Sequence, residues 1–453
     1  MQRKVGRVSA LLVGAAVLAS AAGATVFFSQ PVAGQSEVPL HSAGVVLSAD
    51  GEVSLVPPDD HPALYPDSRV LIGPARDQPR ARNAARRQQD WLAEGDIPGE
   101  ATAHEDMARA ALLDLETLVQ PNGAALAGWS RSWRYVWPRD AAFTVAALSR
   151  TGHAEDAFEV LAFLQAVQEQ DGRFQARYLQ SGTGDVPDNR GIQLDGAGWV
   201  LWGAREWFDS FEAAGPAPHE LRAIEPLIRR STRNLIGLVD PVTGLPPASS
   251  DYWERNENAL TLGTAAPVLA GLRAAPTLLV ALGEHQLARD SRAAARRLDA
   301  SIHRTFGARG YPRVIDGFHR DAAVAFMLPP FAKGVHPDVH RAWIAAGPAM
   351  QQPAGGVSPG VGWKKDGISW TPETALFALA AAASGETEMA LAWISWLDAH
   401  RTSLGALPEK VSAQGEPGGV APLAWTAALV VLTLDELESD GHLRRDQPIQ
   451  TNR

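Results

Sequence analysis

Two glutamates stand where the residues around them suit proton transfer. The stretch "ASSDYWERNENALTLG" (248–263) sets Asp251 and Glu254 around Trp253, and "LPEKV" (407–411) sets Glu409 in a loop rich in Gly and Pro. A carboxyl removed from water beside an indole has its ionised form disfavoured, so it can hold a proton near neutral pH and donate it. Two carboxyls flanking a glycosidic bond, one protonating the leaving oxygen and one activating water or attacking, are what glycoside hydrolysis requires. Either glutamate alone reads equally well as a surface loop residue, so the pair has meaning only if the fold brings the two loops together.

Two further stretches offer groups that could hold a sugar. In "SWRYVWPRDAAF" (132–143), Trp133, Tyr135 and Trp137 precede Arg139 and Asp140. Aromatic faces pack on the apolar C–H face of a pyranose, and an adjacent Arg/Asp pair can grip vicinal hydroxyls as donor and acceptor. Pro138 and Asp140 also suit the first turn of a helix, but helix initiation does not account for three aromatics. In "GIQLDGAGW" (191–199), Gln193 and Asp195 are candidates for hydroxyl ligands, and Asp195 equally fits a helix cap.

These loops must be positioned by something, and the apolar periodicity says what. From 101 to 440 the spacing is helical almost throughout, and Gly/Pro punctuation divides it into about twelve segments. Segments near 104–119, 153–170, 217–238, 284–306, 336–349 and 386–401 are amphipathic, each with one wet face. Those near 138–151, 193–210, 258–282, 321–328, 370–384 and 420–438 are small and apolar nearly all round, as buried helices are. Pro267 and Pro276 are expected to interrupt the third of these buried segments. The long loops always precede buried segments, so the expectation is an all-α (α/α)6 double-ring helical barrel. Its inner-helix N-termini, with their spare N–H groups and partial positive charge, open into one funnel.

Outside the barrel, residues 1–35 read as an export signal or N-terminal anchor, with Arg3, Lys4 and Arg7 before an apolar run. The chain is therefore expected to be secreted, or held at the outer face of a membrane through residues 8–28. Residues 36–100 form a short, partly β N-terminal extension in which "GVVLSADGEVSLV" predicts a hairpin turning at Asp50-Gly51, and 441–453 are a C-terminal tail. The basic run "RARNAARRQQDW" reads as a solvated helix face. A formal net charge of −10 from scattered acids argues against a nucleic-acid surface, and the absence of cysteine excludes disulfides, zinc ribbons and thiol catalysis.

Two other signals fail on physical grounds. "GVSPG" (356–360) matches the nucleophile elbow of esterases, but Pro359 has no N–H for an oxyanion hole. His336 and His340 have metal-ligand spacing without the glutamate of the zinc-protease motif, so no metal is expected.

Taken together, "YVWPRDAAF", "QLDGAG", "SDYWE", "LPEKV" and "PLAW" resemble, in order and spacing, glycoside hydrolase family 15, the glucoamylase family with its trehalase and dextran-glucosidase branches. The resemblance spans roughly 125 to 438. It implies an (α/α)6 barrel that removes terminal glucose from non-reducing ends with inversion and needs no organic cofactor. It casts Glu254 as general acid, Glu409 as the base that activates water, and Arg139 and Asp140 as the pair holding the terminal sugar. It also places Trp137, Tyr135 and Trp253 among the aromatics around it. The expected partner is an oligosaccharide or polysaccharide. Trehalose or α-1,6-linked dextrins are alternative substrates on the same scaffold, and a non-catalytic sugar-binding barrel is a further one. The chain departs from the family in having Arg255 directly after the acid and Lys410 directly after the base, which leaves leaving-group specificity open.

Overall fold

The computed structural model of the chain describes residues 37–212 and 219–443. The leader of residues 1–35 and the tail beyond Leu443 lie outside the described residues. The extension forms an antiparallel hairpin, β1 (Gly44–Leu47) with β2 (Val53–Val56), and then helix α1 (Gln78–Glu94). Arg69 anchors this part to the barrel by an ion pair with Asp114, at 2.7 Å.

The barrel helices follow in alternation. They are α2 (Glu105–Leu118), α3 (Pro138–Arg150), α4 (Ala154–Val167), α5 (Gly196–Glu212), α6 (Glu225–Leu238), α7 (Leu262–Ala281), α8 (His285–Thr305), α9 (Pro337–Met350), α10 (Thr371–Ala383), α11 (Thr387–Ala399) and α12 (Ala424–Ser439). Helix α3 packs on α5, α5 on α7, α7 on a 3₁₀ turn at Ala322–Met327, that turn on α10, α10 on α12, and α12 back on α3. An outer layer backs each inner element: α4 on α3, α6 on α5, α8 on α7, α9 on the 3₁₀ turn, α11 on α10 and α2 on α12. The chain is an all-α double ring.

Small residues let the inner ring close. Almost every residue of α3, α7, α10 and α12 is buried, and much of that surface is alanine. At the tightest crossing a Cβ on Gly198 of α5 would stand 2.2 Å from the carbonyl oxygen of Pro267, and one on Gly271 of α7 would stand 2.6 Å from Cα of Gly198. The two backbones touch, which only glycine allows.

Two sequence expectations change here. Helix α7 runs through Pro267 and Pro276 without interruption. The ring of Pro276 leaves the Leu272 carbonyl without its helical donor, and the Ser291 hydroxyl of α8 supplies one at 2.9 Å. The fourth inner element is a six-residue 3₁₀ turn and not an α-helix. Asp321 caps its start through the Ala323 N–H at 2.9 Å, and Pro329 and Pro330 follow too soon for more turns.

The loops before the inner helices carry short strands that hydrophobic alternation cannot reveal at two residues each. β3 (Phe174–Gln175) pairs with β4 (Ile192–Gln193), and β5 (Ser369–Trp370), β6 (Lys410–Val411) and β7 (Pro417–Gly418) form a three-stranded sheet in that order.

Candidate active site

The N-terminal ends of the inner helices and the loops before them converge on a cavity of about 360 Å³. Seven of the sequence candidates line it: Trp133, Trp137, Arg139, Asp140, Trp253, Glu254 and Glu409. Arg177, Arg190, Trp363, Trp370, Glu373 and Trp425 line it with them.

The α3 corner is built from its own start. Trp137 is the extended residue that precedes the helix, Pro138 opens it, and Arg139 and Asp140 occupy its first turn. Proline lacks an N–H that would be unpaired there anyway. The Arg139 guanidinium is buried, 3.1 Å from Asp140 Oδ2 and 4.6 Å over the Trp425 ring. Burial disfavours its charge, but Asp140 and then Glu254 outweigh that and raise its pKa. Burial pushes Asp140 up in spite of Arg139 beside it.

Glu254 sits at a left-handed backbone position, φ 56°, that a non-glycine residue adopts at a cost on the order of 1 kcal/mol. A backbone hydrogen bond of 2.8 Å from its N–H to Asp251 closes the turn that imposes this geometry. The carboxylate accepts from Gln193 Nε2 at 2.9 Å and from Arg190, and lies 3.9 Å from Arg139 Nη1. Arg190 in turn shares Asp188 with Arg177, whose guanidinium stacks 4.6 Å over Tyr135 and 4.9 Å over Trp137.

Glu409 is held by backbone pairing. Its N–H donates to Val420 at 2.8 Å and its carbonyl accepts from Thr371 at 3.1 Å, which ties the start of α10 to the loop before α12. The N-terminal extension braces the same loop: His41 N–H donates to Gly419 at 2.8 Å, Gly419 N–H to Pro39 at 3.1 Å, and Ser42 Oγ to Ala421 at 2.7 Å. The His41 ring also meets the edge of Trp133, with centroids 5.4 Å apart. The positive charge after each glutamate takes a different place. Lys410 pairs directly with Glu409, whereas the Arg255 guanidinium lies over the rings of Trp363, at 5.4 Å, and Trp253, at 6.0 Å.

Four candidates stand behind the cavity wall instead of facing it. Tyr135 is the platform for Arg177, and Gln193 reaches the cavity only through Glu254. Asp251 is fully buried and spent on local order: its oxygens accept from the Trp253 N–H at 2.9 Å, Thr261 Oγ1 at 2.7 Å and Arg313 Nη2 at 2.8 Å. A hydroxyl ligand finds no free oxygen there, so its role is to shape the loop and the α7 start. Arg313 continues this inner layer. It stacks 3.6 Å from the Trp253 ring centre and reaches Asp321, which accepts from the Tyr252 hydroxyl at 2.5 Å. Asp195 is buried before α5, and its Oδ2 has no hydrogen-bond partner among the described residues. Burial pushes it up to about 7, with Arg139 opposing and Asp251 and Glu254 adding.

Buried polar atoms in folded proteins nearly always find partners. Around this cavity many do not: Nε1 of Trp137, Trp253, Trp363, Trp370 and Trp425, Nε of Arg139, and Oε2 of Glu373 lack a hydrogen bond among the described residues. Donors and acceptors set among aromatic faces suit a ligand that is apolar on its ring faces and hydroxylated at its edge.

No protein-family model matches the chain, and no curated protein matches it either. Solved structures do. A wild-type glycosidase is similar with a TM-score of 0.62 at 19% identity, over 77% of this chain and 98% of its own. A bacterial glucoamylase complexed with acarbose gives 0.64 at 15% identity, over 80% of this chain and 59% of its own. The glucoamylase from Saccharomycopsis fibuligera gives 0.59 at 14% identity, over 79% and 96%. At these identities the similarity is one of fold.

Proposed function

We propose that this chain is an exported, inverting, exo-acting glycoside hydrolase of the family 15 type, releasing glucose from the non-reducing ends of α-glucans or oligosaccharides. One observation carries the reading. Glu254 and Glu409, from loops far apart in sequence, line a single cavity together with the buried Arg139–Asp140 pair and five indole N–H groups without partners among the described residues. Glycosidase and glucoamylase structures share the fold that brings them together. Export rests on the leader of residues 1–35.

In this reading the terminal sugar sits against Trp137, with its hydroxyls on Arg139 and Asp140. Glu254 gives its proton to the glycosidic oxygen as the bond to the anomeric carbon breaks. Glu409 takes a proton from a water that attacks that carbon from the opposite face, so the configuration inverts. Arg190 must first leave Glu254, because the oxygen that gives the proton has to face the glycosidic oxygen and not a guanidinium. Arg190 is partly exposed, at 38%, and Asp188, 3.3 Å from its Nε, can keep its guanidinium paired once it leaves Glu254.

A second reading is favoured by the same ion pairs. Each glutamate faces a cation, Arg190 at Glu254 and Lys410 at Glu409, as in a barrel that binds sugar without cleaving it. Glucose release from maltose, maltoheptaose, isomaltose and trehalose, followed with calorimetric binding of the same sugars, separates the two. Hydrolysis whose first product is the inverted anomer, lost by more than about a thousandfold in Glu254→Gln, supports the enzyme. Binding without release over long incubation supports the second reading, and undiminished turnover in the variant removes Glu254 from the chemistry.

A further inference from the structure

Glu373 has no place in the scheme above, yet it lines the same cavity. It lies in the first turn of α10, in the run "TPETALFALAAAA". An acid in a helix's first turn is ordinary when it is solvated and complements the dipole. Glu373 is 3% exposed, and its Oε2 has no hydrogen-bond partner among the described residues. Leaving a buried polar atom bare is costly, and helix initiation alone does not require it.

Its charge environment differs from that of every other carboxyl in the cavity wall. Asp140 has Arg139, Glu254 has Arg190 and Glu409 has Lys410, but no cation forms an ion pair with Glu373 among the described residues. The groups that act on it are Arg139 from α3, Glu409 from the loop before α12 and Asp321 from the start of the 3₁₀ turn, and it acts in turn on Tyr252 from the loop before α7. Burial, reinforced by Asp321 and Glu409 and opposed by its own backbone N–H and by Arg139, pushes Glu373 up to about 8. At neutral pH it is a neutral carboxylic acid, and so can donate a hydrogen bond from its O–H.

We propose that Glu373 is a sugar-binding residue that presents its carboxyl O–H to a hydroxyl oxygen of the ring held by Arg139 and Asp140. The proposal rests on the glycosidase reading in placing that ring. It makes recognition at the cavity floor a set of one guanidinium donor, one carboxylate acceptor and one neutral acid donor.

The test measures sugar binding and not turnover, with Glu254→Gln as the parent so that sugar survives. Maltose is titrated calorimetrically into the parent and into parents also carrying Glu373→Leu or Glu373→Gln. Leucine fills similar space without a donor and is expected to weaken binding about tenfold, while glutamine, whose amide donates, recovers most of that loss. The parent is expected to lose affinity as pH rises through 8, and the glutamine variant to hold it. Affinity unchanged by leucine, or the same alkaline loss with glutamine at 373, overturns the proposal. If the leucine variant does not fold, the two pH profiles decide alone. A parent that binds none of maltose, maltoheptaose, isomaltose or trehalose tells against the glycosidase reading itself, whereas binding that is indifferent to position 373 tells only against this residue.

Discussion

The ammonium of Lys410 lies 2.9 Å from Oε2 of Glu409 and 4.3 Å from the centre of the Trp370 ring. One cation therefore links the glutamate to an aromatic wall of the cavity. In the proposed reaction Glu409 is the base that must meet one water in one orientation, and small displacements of such groups are expensive in rate.

Lys410→Met is accordingly expected to lower kcat about tenfold with KM changed less than about twofold. Steady-state kinetics on maltoheptaose check this. A variant faster than the wild type would mean that the lysine restrains the glutamate instead of aiming it.

Asp195 makes stability depend on pH. An unfolded aspartate releases its proton near pH 4, whereas in the folded chain Asp195 holds it up to about 7. The proton thus favours the folded state at low pH, and the advantage disappears as pH climbs from 4 through 7. Between pH 5 and 8 this one residue should remove on the order of 3 kcal/mol of stability, a slope that Asp195→Asn lacks. Denaturant midpoints of both proteins across that range decide it, and parallel curves would contradict the assignment.

Backbone contact between α5 and α7 makes a sharp demand on one side chain. Gly198→Ala drives a methyl to within 2.2 Å of the Pro267 carbonyl, so the helices must separate, at about 3 kcal/mol or more. Gly237→Ala, in α6 with nothing within 4 Å, is the matched control and should be neutral or stabilising by about 0.5–1 kcal/mol. Thermal unfolding of the pair provides the measurement. Equal stabilities would show that the crossing can relax.

Ser42→Ala removes the donor from the Ala421 carbonyl, a bond of 2.7 Å in a buried setting. The expected loss is about 1–2 kcal/mol, together with a lower kcat, because that carbonyl belongs to the loop carrying Glu409. Stability falling while kcat stays constant would confine the bond to a structural role.

The fold was largely legible because its signal is repeated. Alternation of all-apolar segments such as "ETALFALAAAA" with charged ones such as "EHQLARDSRAAARRLDASIHRTF" follows directly from one ring being enclosed by another. Where it misled, a local bond decided: the hydroxyl of Ser291 carries α7 past Pro276, and Pro329 and Pro330 keep Ala322–Met327 short. Cavity-lining residues were legible where charge and aromatics cluster in one loop, as at Trp137–Asp140 and Trp253–Glu254. Trp363 and Trp370 sit in a loop whose one carboxylate, Asp366, accepts from the Ile368 N–H next to it, and Glu373 opens a run that reads as pure core, so neither stood out. Arg190 meets Glu254 only because its loop pairs β3 with β4. Asp251 misled in the other direction, since a carboxylate beside a catalytic candidate looks the same in sequence whether it faces a ligand or ties down a turn.

Ser42 and Ala421 are 379 residues apart, yet they are bonded in the loop that carries Glu409. A ribosome delivers the first of these long before the second. The early segment must therefore wait without its partner until nearly the whole barrel has emerged. The wall that carries Glu409 is then the last to be locked, and a nascent or prematurely ended chain has no finished pocket with which to act.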